Sequence, residues 1–174
     1  QILFILEIDK LKQIFRQTYL LDQSRRENDA EHSWHLSILA LFLNEHSNVP
    51  INVTRVVEMT LIHDIVEIDA GDTFAYDTEH AKSQKERELR AAERIFNILP
   101  IDQKNYLRAI WDEFEAHQTP ESKFARAIGR VQPVLHNCYT EGRAWKANGV
   151  KLSQVLDRNK HIEEGSKDLW AFMK

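Results

Sequence analysis

The chain has 174 residues, 43% of them hydrophobic and 29% charged, with a formal net charge of −4. That balance suits one folded domain with a substantial core and excludes a disordered or low-complexity chain. The absence of a basic surplus argues against a nucleic-acid polymer as partner, and a single cysteine, Cys138, rules out an internal disulfide or a cysteine-rich zinc site. Such cysteine usage fits a reducing compartment, read here as the cytoplasm.

The opening "QILFILEIDKLKQIF" is apolar, but Glu7, Asp9, Lys10 and Lys12 interrupt it. It has neither the unbroken length of a membrane span nor the cleavage pattern of a signal peptide, so no membrane is expected as a partner. Helical spacing of apolar residues predicts a first helix over 1 to about 20. The polar stretch "DQSRREND" leads to a second helix, about 30 to 46, with Leu36, Leu39, Phe42 and Leu43 as its core. "SNVPIN" breaks the pattern, and Asn52 suits the cap of a third helix ending near Ile68.

The segment "DAGDTFAYD" reads as a loop, followed by a charged helix over about 79 to 98 that Pro100 ends. A helix over about 102 to 117 carries Trp111 and Phe114. Thr119 then caps a further helix with Pro120 at its first position, and Pro133 is expected to bend it. A loop around "EGRAWKANGV" and two shorter helices close the chain. No segment alternates as a strand, and nothing suggests a repeat or a linker. The predicted fold is all-α, a single domain over 1–174.

The third helix ends on an unusual stretch, "LIHDIVEIDAGDTF". His63 and Asp64 stand together in apolar surroundings, with Glu67 one turn on and Asp72 after Gly71. Charged groups stay buried only with partners. A histidine with neighbouring carboxylates suits Mn²⁺, Fe²⁺, Co²⁺ or Zn²⁺ more than Ca²⁺. His32 and His35 of "AEHSWH" are candidates for a third donor. Spacing alone leaves two readings open, a metal site and a hydrogen-bonded His–Asp pair; Asp72 suits a site or an ordinary turn.

Four stretches together, "RRENDAEHSWHLS", "LIHDIVEIDAGDTFAYD", "IWDEFEAHQTPESKFARAI" and "GVKLSQVLDRN", resemble the HD-domain phosphohydrolases. The branch most similar contains bacterial 5′-deoxynucleotidase, and the likeness runs in order over nearly the whole chain. It implies a helical bundle, with its metal-site core over about 25–135, holding one divalent ion (Mn, Co, Fe, Mg or Zn). The ligands it implies are His32, His63 and Asp64; His35 has no counterpart among them and reads as a packing residue. Glu67 matches the family's catalytic acid–base, and Asp72, a second catalytic residue, would orient the sugar. Asp72, Thr73, Phe74 and Ala75 form the loop that would meet the nucleoside, with loop packing as the alternative for Thr73 to Ala75.

The resemblance further implies a homodimer and a metal-dependent phosphomonoesterase for 5′-deoxynucleoside monophosphates or a related small nucleotide. Two departures stand out. Where the family has an Arg–Trp pair for the phosphate, this chain reads "FRQTYLL", with Arg16 alone. Arg25 and Arg26 are further candidates for phosphate contacts, or else solvated surface groups. And where the family has its fourth metal ligand, an aspartate, this chain has Gly129, which offers no donor. The alternative is therefore a non-catalytic or impaired nucleotide-binding protein.

Overall fold

The protein is described as a computed structural model covering residues 1–76 and 78–174, and for 78–82 the backbone alone. Asp77, the last residue of the stretch read as a loop, lies outside the described residues. The first departure from the sequence reading comes at once. Helix α1 (Ile2–Ile8) gives way to a 3₁₀ turn and then to a strand, β1 (Phe15–Tyr19). This strand pairs antiparallel with β2 (Arg26–Asn28), Phe15 opposite Asn28 and Tyr19 opposite Arg26, with an irregular register between them. The irregularity hides the strand, because a bulge destroys the two-residue alternation by which strands are recognised.

The remainder is helical, as expected for the class. Helix α2 (Asp29–Leu43) starts at a reciprocal cap: the Asn28 side chain accepts from Glu31 N–H, and the Glu31 carboxylate accepts from Asn28 N–H. Asp29 and Glu31 also complement the positive end of the helix dipole. Helix α3 (Val53–Ile62) begins at Asn52, whose side chain accepts from Arg55 N–H. It ends at Ile62, earlier than expected. A 3₁₀ turn (His63–Val66) and the one-turn helix α4 (Glu67–Ala70) complete the run.

Gly71 stops α4 with φ +74° and ψ 147°, a backbone region open essentially to glycine alone. The chain then continues into α5 (Thr78–Phe96) and α6 (Ile101–Ala116). Helix α7 (Pro120–Tyr139) begins as read, with Thr119 as its cap and Pro120 in the first turn, and runs on through Pro133. The segment read as a loop holds α8 (Arg143–Ala147). Helices α9 (Leu152–Asn159), α10 (Ile162–Gly165) and α11 (Lys167–Met173) finish the chain.

Helix α7 is the centre of the bundle, packed against α2, α3, α6 and α10. Phe124, Ile128 and Val131 on it meet Val56, Met59, Ile95, Phe96 and Ile110 in one buried core. No helix among the described residues is long and apolar enough to cross a membrane. Helix α10 lies so close to α7 that a Cβ on Gly165 would fall 2.3 Å from the Lys123 carbonyl oxygen. We expect Gly165→Ala to lose roughly 1–3 kcal/mol, the usual cost of overpacking. Urea unfolding measures it, and an unchanged midpoint would refute the close approach.

Candidate metal centre and its cavity

The strand pair, the start of α2 and the 3₁₀ turn meet at one cavity of about 240 Å³. His32, on the first turn of α2, is 1% exposed. Asp64 and Glu67 are also buried, and the ligand atoms of His32, His63 and Asp64 all lie within 4.8 Å of one another. Where the third helix gives way to the 3₁₀ turn, the Thr60 C=O accepts from the His63 ring, 2.9 Å from Nδ1.

Both imidazoles are fixed by their neighbours. A carbonyl only accepts, so His63 Nδ1 must carry a proton, which leaves Nε2 to face Asp64 Oδ1 at 3.0 Å. For His32 the same logic starts further out. His136 Nδ1 donates to Tyr19 C=O at 3.1 Å, so its Nε2 accepts from the Gln132 amide at 3.1 Å. That amide also donates to Glu27 at 2.6 Å, which turns Gln132 Oε1 toward His32 Nδ1 at 3.0 Å. His32 Nδ1–H is therefore the donor, and its Nε2 lone pair is released. Burial, reinforced by the Arg16 charge, holds His32 well below its ordinary pKa and thus neutral.

Two imidazole nitrogens and a carboxylate set in this way fit a borderline divalent cation. Burial opposes charge on Asp64, but His63 and Arg16 outweigh it and keep the carboxyl ionised, well below the usual range. Gly129 lines the same cavity. A Cβ there would meet only Leu36 Cδ1, at 3.6 Å, so the position has room for a side chain but supplies no ligand atom.

A second acidic group adjoins the first. Asp29, Glu67 and Asp72 bring carboxylate oxygens within 4.8 Å of one another. Burial, then the charges of Asp64, Asp29 and Asp72, push Glu67 well above its ordinary value. A hydrogen bond between its carboxyl and that of Asp29 favours the protonated form further. Burial and the Asp64 charge raise Asp29 to about 7, and burial raises Glu27 to about 7. One guanidinium serves this group: Arg16 reaches Asp64 at 3.0 Å and Asp29 at 3.2 Å.

The other residues singled out by sequence divide clearly. Asp72, Thr73, Phe74 and Ala75 all line the cavity, as does Arg16. Arg25 and Arg26 do not, which favours the reading of solvated surface groups over phosphate contacts. Both are exposed; Arg25 is taken by Glu31 of the helix cap, at 2.8 Å, and Arg26 lies near the Tyr19 ring, 5.9 Å away. His35 stands apart from the His32–His63–Asp64 group, in a cluster with Glu27 and His136. Sequence reasoning missed Asp29, Gln132 and the basic wall of Arg126, Arg130 and Arg158. Gln132 had a signal, being one turn beyond Gly129 on a helix already recognised.

The bundle and this histidine–aspartate centre are those of an HD domain, and the chain belongs to the HD domain family, whose model matches residues 8–170. A crystal structure of a predicted metal-dependent phosphohydrolase from Magnetospirillum magnetotacticum superposes with a TM-score of 0.94 and 51% identity, covering 99% of this chain and 87% of that one. Human 5′-deoxynucleotidase HDDC2 is 25% identical over 133 residues, which is 76% of this chain and 64% of the relative. A 5′-deoxynucleotidase from Photorhabdus laumondii is 28% identical over 127 residues, 68% of this chain and 64% of that protein. The match thus spans under two thirds of the length of these two relatives.

The raised carboxyls make stability depend on pH. Glu27 and Asp29 are protonated in the metal-free fold up to about pH 7, whereas in the unfolded chain they ionise near pH 4. Their contribution is complete below about pH 4 and is lost as the pH rises through about 7. Metal-free protein should therefore unfold at lower urea at pH 8 than at pH 5. Asp29→Asn should flatten that fall by up to about 1.4 kcal/mol per pH unit. Parallel pH profiles for the two proteins would contradict the assignment.

Proposed function

We propose that the protein is a metal-dependent phosphomonoesterase of small nucleotides, with a 5′-deoxynucleoside monophosphate as the leading substrate. One observation carries this reading: Glu67, a carboxyl pushed toward its protonated form, shares a single cavity with the freed Nε2 of His32 and the His63–Asp64 pair. His32, His63 and Asp64 would hold the divalent ion, whose identity among Mn, Co, Fe, Mg and Zn is open. When bound, such an ion supplies Lewis acidity that polarises a phosphoryl oxygen and eases deprotonation of water.

The chain's own groups do the rest. Arg16, lining the cavity, offsets the charge of Asp64 and Asp29 as an anionic phosphate arrives. Glu67, pushed toward its protonated form, would pass its proton to the departing 5′-oxygen. Asp72 meets the sugar, and Thr73, Phe74 and Ala75 form the wall beside the nucleoside. The names of the deoxynucleotidase relatives support the substrate class. A homodimer belongs to the same reading, supported by the exposed apolar Ile2, Leu3 and Leu6 of α1.

A second reading is favoured by Gly129: a protein that binds nucleotide without turning it over. Phosphate release from a panel of nucleotides, with Mn²⁺, Co²⁺, Mg²⁺ or a chelator, separates the two. Metal-dependent release supports the phosphatase, and binding without release supports the alternative. Glu67→Ala should lose roughly 10²-fold or more in rate while keeping its metal; a variant that loses metal but keeps its rate per bound ion would make Glu67 a ligand. Gly129→Asp, which has room for its side chain, should bind metal more tightly, by about tenfold or 1.4 kcal/mol. A metal titration of both forms decides it, and equal or weaker binding would show that position 129 does not face the ion.

A further inference from the structure

Beyond the metal centre, the same cavity has a wall that the mechanism does not use. Arg126 and Arg130 lie one turn apart on α7, and Arg158 on α9 stands at the exposed rim. Arg130 donates to the Arg158 backbone carbonyl, which ties the two helices together. Several arginines elsewhere in this protein are paired with carboxylates: Arg55 with Glu113, Arg94 with Asp69, and Arg108 with Asp112. Among the described residues, Arg126, Arg130 and Arg158 make no ion pair, although they lie close enough to repel one another.

Glu115 and Glu164 lie in range and offset part of this charge without pairing directly with any of the three, and arginine's forked donors match phosphate oxygens. The positive region also extends beyond the main cavity. Arg126 and Arg130 line a second, adjoining space of about 270 Å³ together with His117, Lys123, His161 and Glu164. His117 Nε2 is buried there without a partner. In the same cavity, the reactive phosphate would already be held by the metal centre and Arg16.

We propose that Arg126, Arg130 and Arg158 form a second anion subsite, so that the cavity also takes small nucleotides carrying a second phosphoryl group besides the one removed, and holds them more tightly than the monophosphate. The proposal rests on the phosphohydrolase reading for which phosphate leaves. Water adds to the phosphorus at the metal centre and the bond from that phosphorus to its bridging oxygen breaks. Glu67 protonates the departing oxygen, inorganic phosphate is released, and the product keeps its other phosphate against the arginines. That second group lies either on the same phosphate chain or across the sugar.

The test compares deoxyadenosine 5′-monophosphate, deoxyadenosine 5′-diphosphate and 2′-deoxyadenosine 3′,5′-bisphosphate by calorimetry, on full-length protein with Mn²⁺ and after chelation. The wild type should bind at least one two-phosphate ligand tighter than the monophosphate by roughly tenfold or more, the scale of one charged contact. Whichever of the two gains locates the second phosphate. Arg158→Met, at the rim and safest for folding, and Arg126→Met should each erase most of that preference, and in turnover the loss should appear in KM rather than kcat. Equal affinity for all three ligands, or a preference that survives both substitutions, overturns the proposal. If none of the three releases phosphate, it is the phosphohydrolase reading that fails, and the affinity comparison still decides the subsite.

Discussion

The Arg16 guanidinium stands among Asp64 and Asp29, at 3.0 and 3.2 Å, and Glu27 and Asp72, both at 3.9 Å. Glu67 completes a ring of five acidic groups around one cation. Such a ring cannot be fully ionised in a buried site, because like charges at short range and low dielectric repel by far more than the fold can absorb. The protein resolves this unevenly. Asp64 keeps its charge, since His63 and Arg16 flank it, while Glu67, Asp29 and Glu27 are pushed toward the protonated form. A divalent cation would relieve the same imbalance from the other side. Acid chemistry and metal affinity are therefore two answers to a single excess of negative charge.

Around this ring the scaffold works mainly to fix orientation. The tautomer of His32 is settled by a chain of donors that begins at the Tyr19 carbonyl and passes through His136 and Gln132. That of His63 is settled by Thr60 C=O. Gly71 turns the backbone back so that Asp72 can join the group that Glu67 began. Each device is a backbone or amide contact outside the metal's own ligand set, of the kind that sets ligand basicity and direction.

Much of this was legible in the sequence. Asn52, Thr119 and Pro120 marked helix starts by local chemistry, and the structure uses them so. His32, His63 and Asp64 were singled out from their motif and converge in space. The failures have physical reasons. The strand at Phe15–Tyr19 lacks regular alternation because its register is irregular. The pattern through "TLIHDIVEIDA" is helical throughout, so the change to a 3₁₀ turn at His63 leaves no trace in it. Arg25 is near His32 in sequence, yet the helix-capping Glu31 takes its charge. Arg126 and Arg130, four apart on a recognised helix, could have been read as a basic face, whereas Arg158 joins them only through the docking of a later helix.

The hydrogen bond from His32 to Gln132 spans 100 residues of chain. Contacts of that length form late, since closing a large loop costs entropy before any bond repays it. On a ribosome, α2 and the His63 turn would emerge well before α7 exists to orient His32. The nascent chain thus presents its histidines and carboxylates singly, without the fixed directions that make them a strong chelating set. The fixed direction of the His32 ring exists only once α2 and α7 have docked.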